Sequence, residues 1–207
     1  MQASYRSPYP PLEGTVRAPR ALFIDRWGTL LQEPEEGFVR TPAEVTFTPG
    51  ALDALFRASR AGWRLYLLGN EDAVAFGKIT LAAWEEIEKK ILTDLTRAGV
   101  PIAKNYVCVD HPEGIAGRRN DSVYQLPNTG PFYHATHTDG VDLGKSWVIG
   151  DSTLELVAGW RAGVRMAAVS SGQGLRDRAF HVDPEVTERD LAAVVAELLT
   201  RTDALHH

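Results

Sequence analysis

Three segments of this chain end in the same way, and that shared ending narrows the folds open to it. Ala21-Leu22-Phe23-Ile24 is an apolar run that stops at Asp25, with Gly28 and Thr29 close behind. Trp63 to Leu68 stops at Gly69-Asn70, and Trp147-Val148-Ile149 stops at Gly150-Asp151. Apolar runs of this length, bounded by turn formers, read as strands buried on both faces, as in a parallel sheet. Polar groups at the carboxyl ends of such strands face one crevice.

Helical patterns separate the runs. From Ala51 to Gly62, Leu52, Leu55 and Phe56 recur at helical spacing. Thr80 to Arg97 places Leu81, Trp84, Ile87, Ile91 and Leu95 on one stripe, opposite Glu85, Glu86, Lys89 and Lys90. Both patterns predict helices that cover a sheet. Tyr106 to Val109 and Met166 to Val169 add short strands, while Leu154 to Ala162 and Glu188 to Leu199 add helices. The alternation predicts a doubly wound α/β fold in which Asp25, Asn70, Asp151 and Ser170 share a crevice. Gln32 to Thr48, with Pro34, Gly37 and Pro42, reads as a flap over it, and Asp110 to about Pro131 as a long polar loop.

Spacing alone leaves two readings of the aspartates open. Each can cap the turn or helix that follows it. Together they also make an oxygen-rich pair suited to Mg²⁺, and Asp25 is placed to attack a phosphorus or carbon centre.

Composition removes other classes. With 207 residues, one domain is expected, and a formal charge of -5 offers no basic surplus for a nucleic-acid backbone. No apolar run is long enough for a membrane span. The lone Cys108 excludes an internal disulfide and fits a reducing, cytoplasmic setting. Residues 1–20 carry Pro8, Pro10, Pro11 and Pro19 and read as an extended arm, leaving 21–207 as the domain.

Asp25-Arg26-Trp27-Gly28-Thr29-Leu30, Leu68-Gly69-Asn70 and Gly150-Asp151-Ser152-Thr153-Leu154-Glu155 resemble the motifs of the haloacid dehalogenase superfamily. Within it, Gly37-Phe38-Val39-Arg40-Thr41-Pro42, Pro49-Gly50, Cys108-Val109-Asp110-His111-Pro112-Glu113-Gly114 and Ala158-Gly159-Trp160-Arg161-Ala162-Gly163-Val164 resemble the heptose-bisphosphate and histidinol-phosphate phosphatase branch. The resemblance implies a Rossmann-like three-layer domain without a large cap domain. It implies hydrolysis of a small phosphorylated metabolite through an aspartyl-phosphate. It makes Asp25 the nucleophile and Asn70 the group that orients the phosphoryl, with Arg26 and Gly69 also around the substrate. Mg²⁺ would sit on Asp25, the Trp27 carbonyl and Asp151, with Glu155 supporting it.

Three positions depart from the branch. Trp27 stands where the second aspartate, the acid/base, is expected. Gly69 replaces a phosphate-binding hydroxyl, and Leu126, in Tyr124-Gln125-Leu126-Pro127, replaces a lysine. Of the four positions matching a zinc site of the branch, Cys108, Asp110, Ser122 and Tyr124, one keeps its ligand, so zinc is not expected. His111, and His134 with His137 and Asp139, read as loop or helix-surface residues or as metal ligands.

Loss of a general acid typically costs about 10²- to 10⁴-fold, so impaired or altered catalysis is expected. Glu71 or Asp72 would be the substitute acid. Two alternatives follow. One is dehalogenase-like chemistry at Asp25, since 2-haloacid dehalogenases resemble Asp-x-Tyr-Gly-Thr here and halide leaves without a proton. The other is a catalytically inactive binding or scaffold protein with a protein partner.

Overall fold

The computed structural model describes residues 18–204, so the expected arm over 1–20 lies almost wholly outside the described residues. Among the described residues six strands form one sheet: β1 (Ala21–Asp25), β2 (Arg64–Asn70), β3 (Ile102–Cys108), β4 (Trp147–Gly150), β5 (Arg165–Val169) and β6 (Val186–Glu188). Their order is β3-β2-β1-β4-β5-β6, and every neighbouring pair is parallel. The helices are α1 (Ala51–Arg60), α2 (Asp72–Ala75), α3 (Leu81–Arg97), α4 (Gly130–Asp139), α5 (Thr153–Arg161) and α6 (Leu191–Ala204).

Successive side chains of a strand point to opposite faces, so each apolar run supplies two cores. Leu22, Ile24, Leu65, Leu67 and Ile149 face one way and share a core with the apolar stripes of α1, α3 and α6. Phe23, Tyr66, Leu68 and Val148 face the other way, toward α4 and α5. The outcome is the three-layer α/β sandwich expected from the sequence. Truncating Ile87 or Ile91, both fully buried, is expected to cost about 2–5 kcal/mol.

The connection from β1 to α1 carries no cap domain. It contains a single turn of 3₁₀ helix at Pro42–Glu44 and is tied down by Gln32 N–H to Thr46 O at 2.8 Å and Thr48 N–H to Leu30 O at 3.0 Å.

The sequence reading missed α4, α2 and β6. Helix α4 has no continuous apolar stripe, burying only Pro131, Phe132 and Ala135. What fixes it is Phe132 against Phe23, with ring centroids 4.7 Å apart. Strand β6 has three residues, paired with the edge of β5 through Ala167 and Val186. Among the described residues no helix is long and apolar enough to cross a membrane.

Candidate active site

The chain leaves β1 for β2 and β3, then returns to pair β4 on the other side of β1. That reversal opens a crevice at the carboxyl ends of β1 and β4. Ile24 pairs with Ile149, so Asp25 and Asp151 emerge side by side. Asp25, Asp151 and Glu155 each offer an oxygen, all within 4.8 Å of one another.

Asp151 is held in a cradle. A Cβ added at Gly28 (φ 81°) would lie 2.1 Å from its Oδ2, and one at Gly172 (φ 59°) 2.2 Å from the same atom. Only glycine supplies both the left-handed backbone and the clearance. The Gln173 N–H donates to Oδ2 at 2.6 Å. Glu155 is occupied differently, in a capping box at the start of α5. It accepts the Ser152 N–H and the Ser152 hydroxyl, each at 2.5 Å. Ser152 thus orients the Glu155 carboxylate while it still lines the crevice beside Asp151.

Arg26, read from the sequence as a substrate contact, is fully buried. Its five N–H donors are engaged by protein: Nε by Glu71 at 3.0 Å, Nη1 by Asn105 and the Tyr106 carbonyl, and Nη2 by the Gly69 carbonyl and Glu71. No donor is left for a substrate, so its part is to build the wall. Glu71 Oε1 also accepts the Trp27 indole N–H at 3.2 Å. Glu71 therefore does not swing freely, and Trp27 is pinned as the floor of the crevice. This triad was legible only in part: the signal was one arginine and one glutamate, each following the polar end of adjacent strands.

Gly69 has φ 149°, and a Cβ there would lie 3.0 Å from Arg26 Nη2 and 3.1 Å from Asp25 Oδ1. The guanidinium thus takes the space a motif side chain would need. The Asn70 amide is engaged as well: its Nδ2 donates to Leu126 O at 3.0 Å and its Oδ1 accepts the Leu126 N–H at 2.9 Å. Asn70 fixes the loop that carries Leu126, which is 4% exposed and lines the crevice with an apolar side chain.

The crevice is a cavity of about 230 Å³. Asp25, Glu33, Glu71, Asp72, Asp151 and Glu155 line it, with the rings of Trp27, Phe38 and Trp84, and among the described residues no lysine, arginine or histidine does. Burial, then the Glu155 and Asp151 carboxylates, hold the Asp25 carboxyl well above the usual range. Burial pushes Asp151 up to about 6 against the pull of the Gln173 N–H, and Glu155 up to about 8 against its Ser152 bonds. Burial also raises Glu71, opposed by Arg26. Crowded buried carboxylates, with the Arg26 guanidinium behind the cavity wall spent on Glu71, suit a hard divalent cation with oxygen ligands, and Asp25 and Asp151 fit one.

The flap expected over Gln32 to Thr48 covers this cavity with Glu33, Pro34, Gly37, Phe38 and Val39. The other polar candidates lie elsewhere. His134 Nδ1 meets the Tyr124 hydroxyl at 2.8 Å, Asp139 accepts the Tyr66 hydroxyl at 2.6 Å, and His111 Nδ1 accepts the Glu113 N–H at 3.0 Å. Cys108 Sγ donates to Asp110 O at 3.2 Å.

No protein-family model matches the chain. It is 30% identical over 183 residues to D-glycero-beta-D-manno-heptose-1,7-bisphosphate 7-phosphatase of Bordetella bronchiseptica, covering 87% of this chain and 98% of that one. The enzyme of the same name from Mesorhizobium japonicum is 27% identical over 181 residues, 87% of this chain and 82% of that one. Among solved structures, D,D-heptose 1,7-bisphosphate phosphatase from B. bronchiseptica, complexed with magnesium and phosphate, superposes with a TM-score of 0.77 at 26% identity, covering 88% of this chain and 99% of that one. The strand-end carboxylates, the sheet order and these likenesses agree: the chain belongs to the haloacid dehalogenase superfamily, in the branch of the heptose-1,7-bisphosphate phosphatases.

Proposed function

We propose that this chain is a phosphatase of small phosphorylated sugars or related metabolites, working through a phosphoryl group carried on Asp25. The observation that carries the reading is the convergence of Asp25 and Asp151 in a cavity whose lining offers no cationic side chain. A phosphate monoester entering it alone would be repelled. Asp25, the Trp27 carbonyl and Asp151 would hold Mg²⁺, with Glu155 behind them orienting the start of α5. The bound ion would neutralise the phosphoryl oxygens.

An Asp25 oxygen attacks phosphorus, and the bond from phosphorus to the leaving oxygen breaks. That oxygen then needs a proton. Trp27 is not an acid, and its N–H is tied to Glu71. The proton comes from solvent, because Glu71 is held as the carboxylate partner of Arg26. Water next attacks phosphorus, releases phosphate and restores the Asp25 carboxylate. With no base at position 27 this second step is slow. Asn70 acts through the Leu126 backbone, as a positioning residue.

The pinned indole also favours a second reading, a binding protein that keeps the cavity and has lost turnover. Mg²⁺-dependent phosphate release from a panel of sugar and polyol phosphates, with Asp25→Asn as control, separates the two. Release that requires Asp25 supports the phosphatase. Equal release by both proteins, or none above background, removes it, and retained Mg²⁺-dependent binding of a sugar phosphate then supports the binding protein.

A further inference from the structure

After β5 the chain runs back over the crevice as a strap, Gly172 to Asp177, before turning toward β6. The strap is tied to Asp151 twice: Gln173 N–H donates to Asp151 Oδ2 at 2.6 Å and Leu175 N–H to Asp151 O at 2.7 Å. Its far end is tied to α5. The Asp177 carboxylate accepts the Thr153 N–H, at 3.1 Å and 3.0 Å to its two oxygens, and the Thr153 hydroxyl, which itself accepts the Phe180 N–H at 3.1 Å. A carboxylate at the amino end of a helix is also favoured by the helix dipole.

The strap does not rest in this shape by itself. Leu175 (φ 61°) and Arg178 (φ 47°) hold left-handed backbone without being glycine. Such conformations are disfavoured and persist where surrounding contacts impose them. Those contacts include the two bonds to Asp151, the Asp177 clamp and the packing of Leu175 against the core under α4 and α5.

We propose that Asp177 is a positioning residue for the cation site: its clamp on Thr153 keeps the strap closed, and the closed strap fixes Asp151 between Gly28 and Gly172 with Oδ2 engaged by the Gln173 N–H. Asp177 touches neither substrate nor cation. The inference rests on Asp151 being a ligand, as in the function proposed above. Without the clamp, Leu175 and Arg178 relax, the Gln173 N–H leaves Oδ2, and the carboxylate samples orientations that do not bind.

The test is Mg²⁺ binding by titration calorimetry on the whole chain, with amide hydrogen exchange at Gln173 and Leu175 as a readout that needs no metal. Asp177→Ala is expected to weaken Mg²⁺ binding about tenfold and to speed exchange at both amides. Asp177→Asn keeps an acceptor for the Thr153 N–H and is expected to stay within about twofold of wild type, a rescue that a general loss of charge would not give. If Asp177→Ala does not fold, Thr153→Val, which removes the hydroxyl arm of the clamp, decides in its place with a smaller loss of the same sign. Wild-type affinity and unchanged exchange in the folded variant overturn the inference and leave the proposed function standing. No Mg²⁺ heat from wild type overturns both. Equal loss in Asp177→Asn and Asp177→Ala shows a charge effect and overturns the positioning role.

Discussion

The Trp27 indole N–H donates to Glu71 Oε1 at 3.2 Å, on the same oxygen that takes two hydrogen bonds from Arg26. Where the branch has an acid, this chain has a ring held in place by a buried ion pair. Chemistry and stability of the site therefore meet at Glu71.

Breaking that pair from one side strands a buried charge. Arg26→Leu is expected to destabilise the fold by about 3–5 kcal/mol. Arg26→Leu with Glu71→Leu is expected to recover a large part of the loss, because no uncompensated carboxylate remains. Urea unfolding of the single and double variants measures it, and additive losses would contradict the coupling.

Trp27→Asp returns a carboxyl to the acid/base position. Transfer of the phosphoryl group to Asp25 from alkyl phosphates such as sugar phosphates is expected to speed up about 10²-fold, and transfer from aryl phosphates, which are better leaving groups, to change far less. Comparing single-turnover rates of the transfer step for the two substrate classes checks this. An equal effect on both would mean that leaving-group protonation does not limit the wild type.

Gly28→Ala and Gly172→Ala each drive a methyl to within about 2 Å of Asp151 Oδ2. Both are expected to abolish Mg²⁺ binding in calorimetry while circular dichroism stays that of a folded α/β protein. Binding at wild-type strength would show that Asp151 is not a ligand in this orientation.

Stability should fall with rising pH when divalent cations are removed. Asp151 is pushed up to about 6 and Glu155 to about 8, both above their unfolded values of about 4. The folded chain thus keeps protons that the unfolded chain has released, and the stabilisation present below about pH 4 is lost as pH climbs toward about 8. In chelator, the melting temperature is expected to drop by several degrees between about pH 5 and pH 8. Saturating Mg²⁺, which binds the ionised carboxylates, should flatten that slope. A flat profile in chelator would contradict the burial argument.

Much of this architecture is legible in the sequence. Apolar runs ending at Asp25, Asn70 and Asp151 specify parallel strands and their polar ends, because burial on both faces forbids alternation. The stripes over Leu52 to Phe56 and Leu81 to Leu95 specify helices because one face is buried against the sheet and the other is solvated. What was not readable depends on contacts far apart in the chain. Arg26 looked like a substrate ligand because sequence does not reveal that Glu71, Asn105 and Gly69 surround it. Glu155 stands in the carboxylate cluster with Asp25 and Asp151, and its position three residues after Ser152 also spells a capping box that the structure forms. The Asp177 clamp spans 24 residues and has no local signature.

The most direct test of the account is to look for the phosphoryl group itself. Wild type is mixed with Mg²⁺ and an aryl phosphate, quenched in acid within the first turnover, and digested for mass spectrometry. Because no base stands at position 27 to activate water, the account predicts a phosphoryl group on Asp25 that accumulates and then decays, and no such species in Asp25→Asn. Phosphate release without any modified Asp25, or at the same rate in Asp25→Asn, would contradict it.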